Sequence, residues 1–277
     1  MLEVCNITKV YKSFFKTKVA CKNVSFEVKE GEIASLLGLN GAGKSTILKI
    51  ISGVLEATEG DVVIEGKSIR QHPIEAKREL GILYENAPLY SDLTVEEYLQ
   101  FSMNMRGIKR RETSWLLRDL FDAFELGEAR DRRIAELSKG YKQRLSFVAT
   151  IAHSPRVLIL DEPTSNLDII QLREFKKKIL QLDKTRIVLI STHNIELAKD
   201  ICTKHILINE GEVILQGELD ELKDKIEEKY RDELADDDEE NRGWHSFEKR
   251  KELNRDNILE LAFDLFAGVK KSEFYKN

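Results

Sequence analysis

The segment GLNGAGKST at residues 38–46 limits the possible folds of this chain more than any other stretch. It satisfies the pattern G-x-x-x-x-G-K-[ST], a loop whose backbone N–H groups surround phosphate oxygens. The pattern requires a strand before it and a helix after it, and residues 32–37 and 44–55 are predicted to supply them. It therefore predicts the phosphate-binding unit of an α/β fold. The alternative is a glycine-rich turn with an exposed lysine.

The loop has the residue types that phosphate binding requires. Glycines allow successive N–H groups to point inward, and the helix N-terminus adds a partial positive charge. Lys44 is expected to reach the β- and γ-phosphates, and Ser45 to offer its hydroxyl to Mg²⁺. The residues expected to bind the nucleotide are Gly38, Asn40, Gly41, Ala42, Gly43, Lys44, Ser45 and Thr46.

A second pattern, RVLILDEPTSNLD at residues 156–168, places two carboxylates at the end of an apolar run. Such a strand delivers both at the carboxyl edge of a parallel sheet, where ligands bind in open α/β folds. Asp161 is expected to hold Mg²⁺ through its water shell, and Glu162 to accept a proton from an attacking water. Strands commonly end in polar residues, so the pattern is informative only because a phosphate-binding loop precedes it.

A third pattern, LSKGYKQR at residues 137–144, precedes a helical segment. Ser138 is suited to cap that helix, and the N–H groups around Gly140 are suited to bind an anion. Taken alone, this segment is simply a helix start.

Strand-like and helix-like segments alternate along the chain, which indicates an α/β fold. Residues 156–160, 186–191 and 205–209 are continuous apolar runs, typical of strands covered on both faces of a parallel sheet. Residues 94–126 contain two helical patterns, the second with Trp115, Leu116, Leu120 and Phe124 on one face. We expect an all-helical insertion at about residues 90–150.

The last sixty residues differ in composition from the rest. Residues 218–256 are dominated by charged side chains, which favours a solvated helix or a disordered linker. The following segment places Ile258, Leu261, Ala262, Leu265 and Val269 on one helical face, most simply for docking on its own domain. Residues 218–277 are thus predicted to form a charged extension ending in an amphipathic helix.

Overall charge and cysteine content exclude some classes of partner. The 44 Lys+Arg and 49 Asp+Glu residues nearly cancel, so no nucleic-acid partner is expected. The three cysteines are far apart, which indicates neither a disulfide framework nor a metal cluster, and favours a reducing compartment. No apolar run approaches the roughly 20 residues that cross a bilayer. Any membrane part would therefore come from another chain.

The order of these motifs, from about residue 2 to residue 217, resembles the nucleotide-binding subunit of ABC transporters. The resemblance implies a P-loop NTPase with a RecA-like mixed sheet, an N-terminal antiparallel β part and a helical insertion, within a domain spanning residues 1–217. It implies that Asp168 faces a partner subunit, that His193 senses the γ-phosphate and that Tyr11 stacks on adenine. Tyr11 could instead be an ordinary strand residue, with Phe14 or Phe15 in the stacking role.

Two positions depart from the family pattern. The signature LSGGQ is here LSKGY, with Lys139 and Tyr141 substituted, while Ser138 and Gly140 remain. Glu85 stands where the family usually has glutamine, and the next residue, Asn86, is the alternative for that role. A carboxylate there can still bind Mg²⁺. With this substitution the chain resembles ATPases paired with ABC-2-type exporter permeases more than it resembles importer ATPases.

Because each motif occurs once, the resemblance implies an ATPase that needs a second such subunit, either identical or different. It also implies a separate transmembrane permease, with ATP and Mg²⁺ as cofactors and a cytoplasmic location on the inner face of the membrane. One alternative is a non-transport ABC ATPase acting in DNA repair or translation. Another is a regulatory module without catalysis, which the retained Lys44, Glu162 and His193 argue against.

Overall fold

The computed structural model describes residues 1–12, 17–86, 88–165, 167–182, 184–236 and 257–268, with the side chains of residues 110, 111 and 230–236 excepted. Within these residues no helix has the length and apolar character needed to cross a membrane.

In the part of the chain that the structure describes, ten strands form two sheets. The strands are β1 (Leu2–Lys12), β2 (Thr17–Val28), β3 (Ile33–Leu37), β4 (Glu59–Ile64), β5 (Lys67–Ser68), β6 (Leu80–Leu83), β7 (Val157–Asp161), β8 (Ile187–Thr192), β9 (Lys204–Asn209) and β10 (Glu212–Gly217). A four-stranded antiparallel sheet has the order β2-β1-β4-β5. A six-stranded sheet has the order β10-β9-β3-β8-β7-β6, with β10 antiparallel and the other five strands parallel.

Nine helices lie in the described part of the chain. They are α1 (Lys44–Ile51), α2 (Pro73–Arg78), α3 (Val95–Met105), α4 (Arg110–Ala123), α5 (Lys139–Ile151), α6 (Ile169–Leu180), α7 (Ile195–Ile201), α8 (Leu219–Asp236) and α9 (Ile258–Ala267). The predicted α/β class, with a mixed sheet, an antiparallel β part and inserted helices, is confirmed.

The central parallel strands bring the sequence motifs to one edge of the larger sheet. Strands β3, β7 and β8 are neighbours, and each is apolar and buried almost throughout. Leu37 pairs with Thr192, and Asp161 pairs with Ser191. Because parallel strands share the direction of their carboxyl ends, the loops that follow all three meet at this edge.

Helices α3, α4 and α5 form the predicted insertion and share one apolar cluster with the sheet. A capping box at Thr94 starts α3, where its hydroxyl accepts from the Glu97 N–H and the Glu97 carboxylate accepts from the Thr94 N–H. The end of α5 packs on the sheet, since Thr150 donates to the Ile82 carbonyl. The apolar face of α4 that includes Trp115 is not buried throughout, because Trp115 is 53% exposed while Leu117 and Phe121 are buried.

The C-terminal helix docks on its own chain, as the sequence predicts. Ile258, Leu259, Ala262 and Phe263 of α9 are buried against α7, α8 and the sheet. The buried side differs from the predicted one, because Leu261 and Leu265 are only half-buried and Leu259 and Phe263 replace them. Val269 lies outside the described residues. The boundary at residue 217 stays a prediction.

Candidate functional site

The loop between β3 and α1 has the backbone conformation that its glycines permit. Gly41 and Gly43 have φ values of 86° and 105°, in the left-handed region that L side chains rarely adopt. At Gly43 a Cβ atom would also lie 2.7 Å from the Ala20 carbonyl oxygen. Gly43 immediately precedes α1, whose first turn contains no acidic residue. The partial positive charge at the N-terminus of α1 therefore faces the loop, and no acidic side chain in the first turn of the helix neutralises it.

Lys44 lies within this loop with only 6% of its surface exposed. Its ammonium group donates to the Gly38 carbonyl at 2.7 Å and to the Leu39 carbonyl at 3.3 Å. It also lies 3.4 Å from Oε1 of Glu162. Burial lowers the pKa of Lys44, and the charge of Glu162 opposes that shift.

Asp161 ends β7 and is almost completely buried. The Ser191 hydroxyl donates to its carboxylate and the backbones of the two residues are paired, so the position of this carboxylate is fixed by the sheet. Burial raises the pKa of Asp161, and the hydrogen bond from Ser191 partly offsets the rise.

Glu162 has a backbone conformation that is unusual for its residue type. Its φ is 45°, in the left-handed region, and its N–H donates to the Ser191 carbonyl at 3.1 Å. Such conformations cost on the order of 1–3 kcal/mol and are concentrated at functional sites. Here the turn directs the carboxylate away from β7 toward Lys44 and His193.

His193 follows β8 and lies with Nδ1 3.0 Å from Oε2 of Glu162. The hydrogen bond with Glu162 raises the pKa of His193, and burial partly opposes it. Burial raises the pKa of Glu162, but contact with His193 and the charge of Lys44 outweigh burial, and the net pKa is below its ordinary value. Glu162 is therefore ionised at neutral pH and lies between Lys44 and His193.

Lys44 and Glu162 border a cavity of about 420 Å³ over the loop, whereas His193 reaches it only through its contact with Glu162 and does not line it. Its lining residues are Lys18, Val19, Ala20, Leu39, Asn40, Gly41, Gly43, Lys44, Ser45, Thr46, Glu85, Glu162 and Glu210. A second cavity of about 330 Å³ adjoins it, since Glu85 and Glu162 line both. Asp161 and Lys139 line the second cavity.

Comparison with known proteins identifies this arrangement. The family model described as ABC transporter matches residues 21–165, just over half of the chain. The ABC transporter ATP-binding protein NatA of Bacillus subtilis is 32% identical over 224 residues, covering 80% of this chain and 91% of NatA.

The chain belongs to the ABC transporter ATP-binding family.

Solved structures agree with this family assignment. An ATP-binding subunit of an ABC transporter superposes with a TM-score of 0.75 at 30% identity, covering 82% of this chain and 93% of that structure. A dimeric ATP-binding cassette, solved in a post-hydrolysis state with ADP and Pi, gives a TM-score of 0.70 at 27% identity, covering 79% of this chain and 98% of that one. This chain is thus an ABC-type ATPase cassette with ATP as its nucleotide.

The predicted signature residues of this ABC cassette do not line the cavity over its own phosphate-binding loop. Ser138 caps α5, and its hydroxyl accepts from the Tyr141 N–H at 3.3 Å. Gly140 lies against α6, where an added Cβ atom would be 2.8 Å from Nε2 of Gln171. The helix-start interpretation therefore describes the local structure of this segment.

Two residues with roles implied by the family resemblance also lie outside that cavity. Asp168 caps α6, accepting from the Gln171 N–H at 2.8 Å, so the structure shows its helix-cap role. Tyr11 is 43% exposed in β1, paired with Lys18, which does line the cavity. Phe14 and Phe15 lie outside the described residues. The adenine-stacking and partner-facing roles stay predictions.

The three predicted Mg²⁺ ligands are oxygen donors of the kind this ion prefers. Ser45 and Glu85 line the cavity over the loop, and Asp161 lines the adjoining one. Among the described residues no group of three or more His, Cys, Asp or Glu side chains is arranged to hold a metal. The set therefore suits an ion that shares its coordination with phosphate and water, as Mg²⁺ usually does.

Sequence reasoning missed the side of the cavity formed by residues 18–20 and Glu210. Gly211, in the turn between β9 and β10, donates its N–H to the Ala42 carbonyl and accepts from the Lys22 N–H, both at 2.9 Å. This turn thus ties the loop to β2. The Glu-Gly pair signals a turn in the sequence, but not which loop the turn contacts.

Proposed function

We propose that this chain hydrolyses ATP between two copies or homologues of itself and thereby energises a separate transmembrane permease. One observation supports this proposal best. Beside the glycine loop, Glu162 contacts Lys44 at 3.4 Å and His193 at 3.0 Å. A phosphate-binding loop holds the triphosphate, an ionised carboxylate can accept a proton from water, and a histidine can hold that carboxylate, so together these groups suit transfer of the γ-phosphoryl group to water.

In the proposed mechanism the loop amides and Lys44 bind the β- and γ-phosphates. Phosphate oxygens compete with Glu162 for Lys44, because the ammonium group now lies 3.4 Å from that carboxylate. Glu162 then orients the attacking water and accepts its proton, while His193 holds the carboxylate in position and faces the γ-phosphate. Mg²⁺, held by Ser45 and by water on Asp161, would neutralise charge on the phosphate oxygens.

A second cassette is needed to complete the proposed site. Ser138 and Gly140 do not line the cavity of their own chain, although the family pattern assigns them to the γ-phosphate. A dimer with two-fold symmetry would place the signature of each chain over the loop of the other. The dimeric cassette among the structural relatives supports this arrangement.

Mixing two inactive variants tests the shared site. Lys44→Ala removes the loop cation and Ser138→Arg blocks the signature, so each variant alone should lack ATP hydrolysis. In an equal mixture half of the pairs are mixed and each has one intact site, so activity should recover to at most about a quarter of wild type. Recovery would support two composite sites. No recovery from two folded variants would contradict the dimer.

The helical insertion is the proposed contact with the permease. Tyr90 and Phe101 are 57% and 41% exposed and pack together with ring centroids 5.4 Å apart. Exposed aromatic clusters of this kind are typical of protein interfaces. Through this contact the ATPase would lie on the inner face of the membrane, and the Glu85 substitution favours an exporter of the ABC-2 type.

Membrane retention distinguishes transport from a role in DNA repair or translation. Co-expression with a multi-span protein encoded beside this gene should move the chain into the membrane fraction. Tyr90→Ala with Phe101→Ala should return it to the soluble fraction without loss of ATP hydrolysis, whereas Trp115→Ala, also an exposed aromatic of the insertion, serves as the control. Retention that the double variant does not alter would contradict this contact.

A further inference from the structure

The C-terminal extension forms part of the apolar core beneath the nucleotide site. The cluster that contains α9 also contains Leu37, the last residue of β3 before the glycine loop. It contains Ile195 and Ala198 of α7 as well, and Leu39 of the loop packs against it. The extension therefore shares an apolar cluster with two of the segments that position the site.

A polar contact between Glu260 and Lys199 joins α9 to α7 within this mostly apolar interface. Glu260 is only 4% exposed, and its Oε1 lies 4.0 Å from Nζ of Lys199. The Lys199 side chain is itself only 12% exposed and also contacts Glu196, at 3.0 Å. Charges removed from water are stable only when paired, so this contact restricts where α7 can lie relative to α9.

Helix α7 connects this contact directly to His193. It has only seven residues, begins two residues after His193 and ends two residues after Lys199. Its first turn is fixed to the end of β8, because the Asn194 N–H donates to the Thr192 hydroxyl and the Asn194 side chain accepts from the Leu197 N–H. A two-turn helix moves as a unit, so a shift at Lys199 also displaces His193.

We propose that Glu260 is a positioning residue for His193, acting through Lys199 and α7. The extension then has a role in the chemical step, in addition to its contribution to the core. This inference rests on the proposed function, because it assigns to His193 the role of holding Glu162 and facing the γ-phosphate.

The proposal predicts a specific kinetic effect. ATP affinity comes chiefly from the glycine loop and Lys44, which Glu260 does not contact, whereas turnover depends on the position of His193. Glu260→Gln should therefore lower kcat roughly tenfold, the scale of a small misplacement of a reacting group, and leave the Kd for ATP within about twofold. Lys199→Met tests the same contact from α7 and should give the same result.

A matched control and a double-mutant cycle separate positioning from general loss of stability. Glu196→Gln removes the exposed carboxylate partner of the same lysine and should leave kcat unchanged. In a His193→Ala background, Glu260→Gln should have no further effect on kcat, because the residue it positions is absent. A second reduction of similar size in that background, with ATP still bound, would overturn the proposal.

Titration of the His193 ring by NMR provides an independent readout in the folded Glu260→Gln protein. The groups that act on this ring are Glu162, Lys44 and Glu85. If α7 shifts, the contact with Glu162 weakens and the pKa of His193 falls toward its ordinary value. An unchanged titration together with an unchanged kcat would refute the positioning role. The proposed function fails separately, if wild type does not hydrolyse ATP or His193→Ala has no effect.

Discussion

Glu162 lies between two cationic groups, Lys44 at 3.4 Å and His193 at 3.0 Å. Both contacts favour the charged carboxylate and together outweigh burial, so its pKa is lowered. A general base must be deprotonated to act, and these neighbours keep Glu162 in that form. The same contact raises the pKa of His193, so the pair is stabilised in its ionised form.

The His193–Glu162 pair predicts a pH dependence of stability. The pKa of folded His193 lies above its ordinary value of 6.5, so protonated His193 stabilises the fold fully below pH 6.5. That stabilisation is lost as the pH rises through the higher pKa of the folded protein. In urea unfolding, His193→Ala should therefore lower the free energy of unfolding by more at about pH 6 than at about pH 9, relative to wild type.

Glu162→Gln is the control for this pH dependence. Without the carboxylate the main cause of the raised pKa is removed. In that background, His193→Ala should cost nearly the same free energy of unfolding at both pH values. If His193→Ala in the wild-type background lowered the free energy of unfolding by more at high pH than at low pH, the raised pKa of His193 would be contradicted.

Lys44 should account for much of the ATP affinity. Lys44→Ala removes a buried cation at the glycine loop and should weaken ATP binding roughly 10- to 100-fold, the scale of a charged hydrogen bond. Lys49→Ala, an exposed lysine farther along the same helix, is the matched control and should bind ATP as wild type does. Calorimetric titration with ATP measures both. Equal affinities in the two variants would contradict the assignment of the loop.

At the scale of elements, the loop depends on a turn that is distant in sequence. Gly211 adopts a φ of 82°, and an added Cβ atom there would lie 2.8 Å from the Ala20 carbonyl and 2.9 Å from the Cα of Cys21. The turn between β9 and β10 thus fits only with glycine at this position. Its N–H supports the Ala42 carbonyl in the phosphate-binding loop.

Gly211→Ala should therefore impair ATP binding as well as stability, because the turn must move away from the loop. Gly66→Ala is the matched control, since Gly66 has a similar φ of 74° but no atom within 4 Å of an added Cβ. Gly66→Ala should lower the free energy of unfolding by only roughly 1–2 kcal/mol, the cost of placing alanine in the left-handed region, and should leave ATP affinity unchanged. Thermal unfolding and ATP titration of both variants provide the comparison. Equal ATP affinity in the two would argue against support by the turn.

Elements with strong sequence patterns could be predicted, and short ones could not. The continuous apolar runs correctly predicted β7, β8 and β9, because strands covered on both faces are apolar throughout. Strand β5 has two residues and helix α2 has six, too few for any periodicity to show. Trp115 shares an apolar face with Leu116 and Leu120 in the sequence pattern but is exposed, because hydrophobicity alone does not determine which side of a helix is covered.

The candidate site was predictable where a motif is local in sequence. Lys44 and Glu162 each belong to a local motif, and both line one cavity. The motifs could not show that Lys18 and Glu210 line it, because those residues approach through pairing of distant strands and a turn. Nor could they show that Glu162 contacts Lys44, since that depends on a left-handed backbone turn at Glu162 itself.

At the scale of the whole molecule, the extension that differs from the rest of the chain in composition packs against the rest of the cassette. Leu222 and Ile226 of α8 are fully buried with α9 and the sheet, although the sequence around them is highly charged. Between residues 219 and 229 the charged side chains of α8 lie on its outer face, and its few apolar residues suffice to dock it. Composition alone therefore underestimates how much of the extension is packed.

We expect the whole molecule to act as an ATPase with Glu162 as its general base. The most direct test measures steady-state ATP hydrolysis and ATP binding in parallel for wild type and Glu162→Gln, with Mg²⁺ present. We expect hydrolysis to fall about 10²- to 10⁴-fold, the usual contribution of a general base, with ATP still bound. Wild-type turnover by Glu162→Gln would contradict the account.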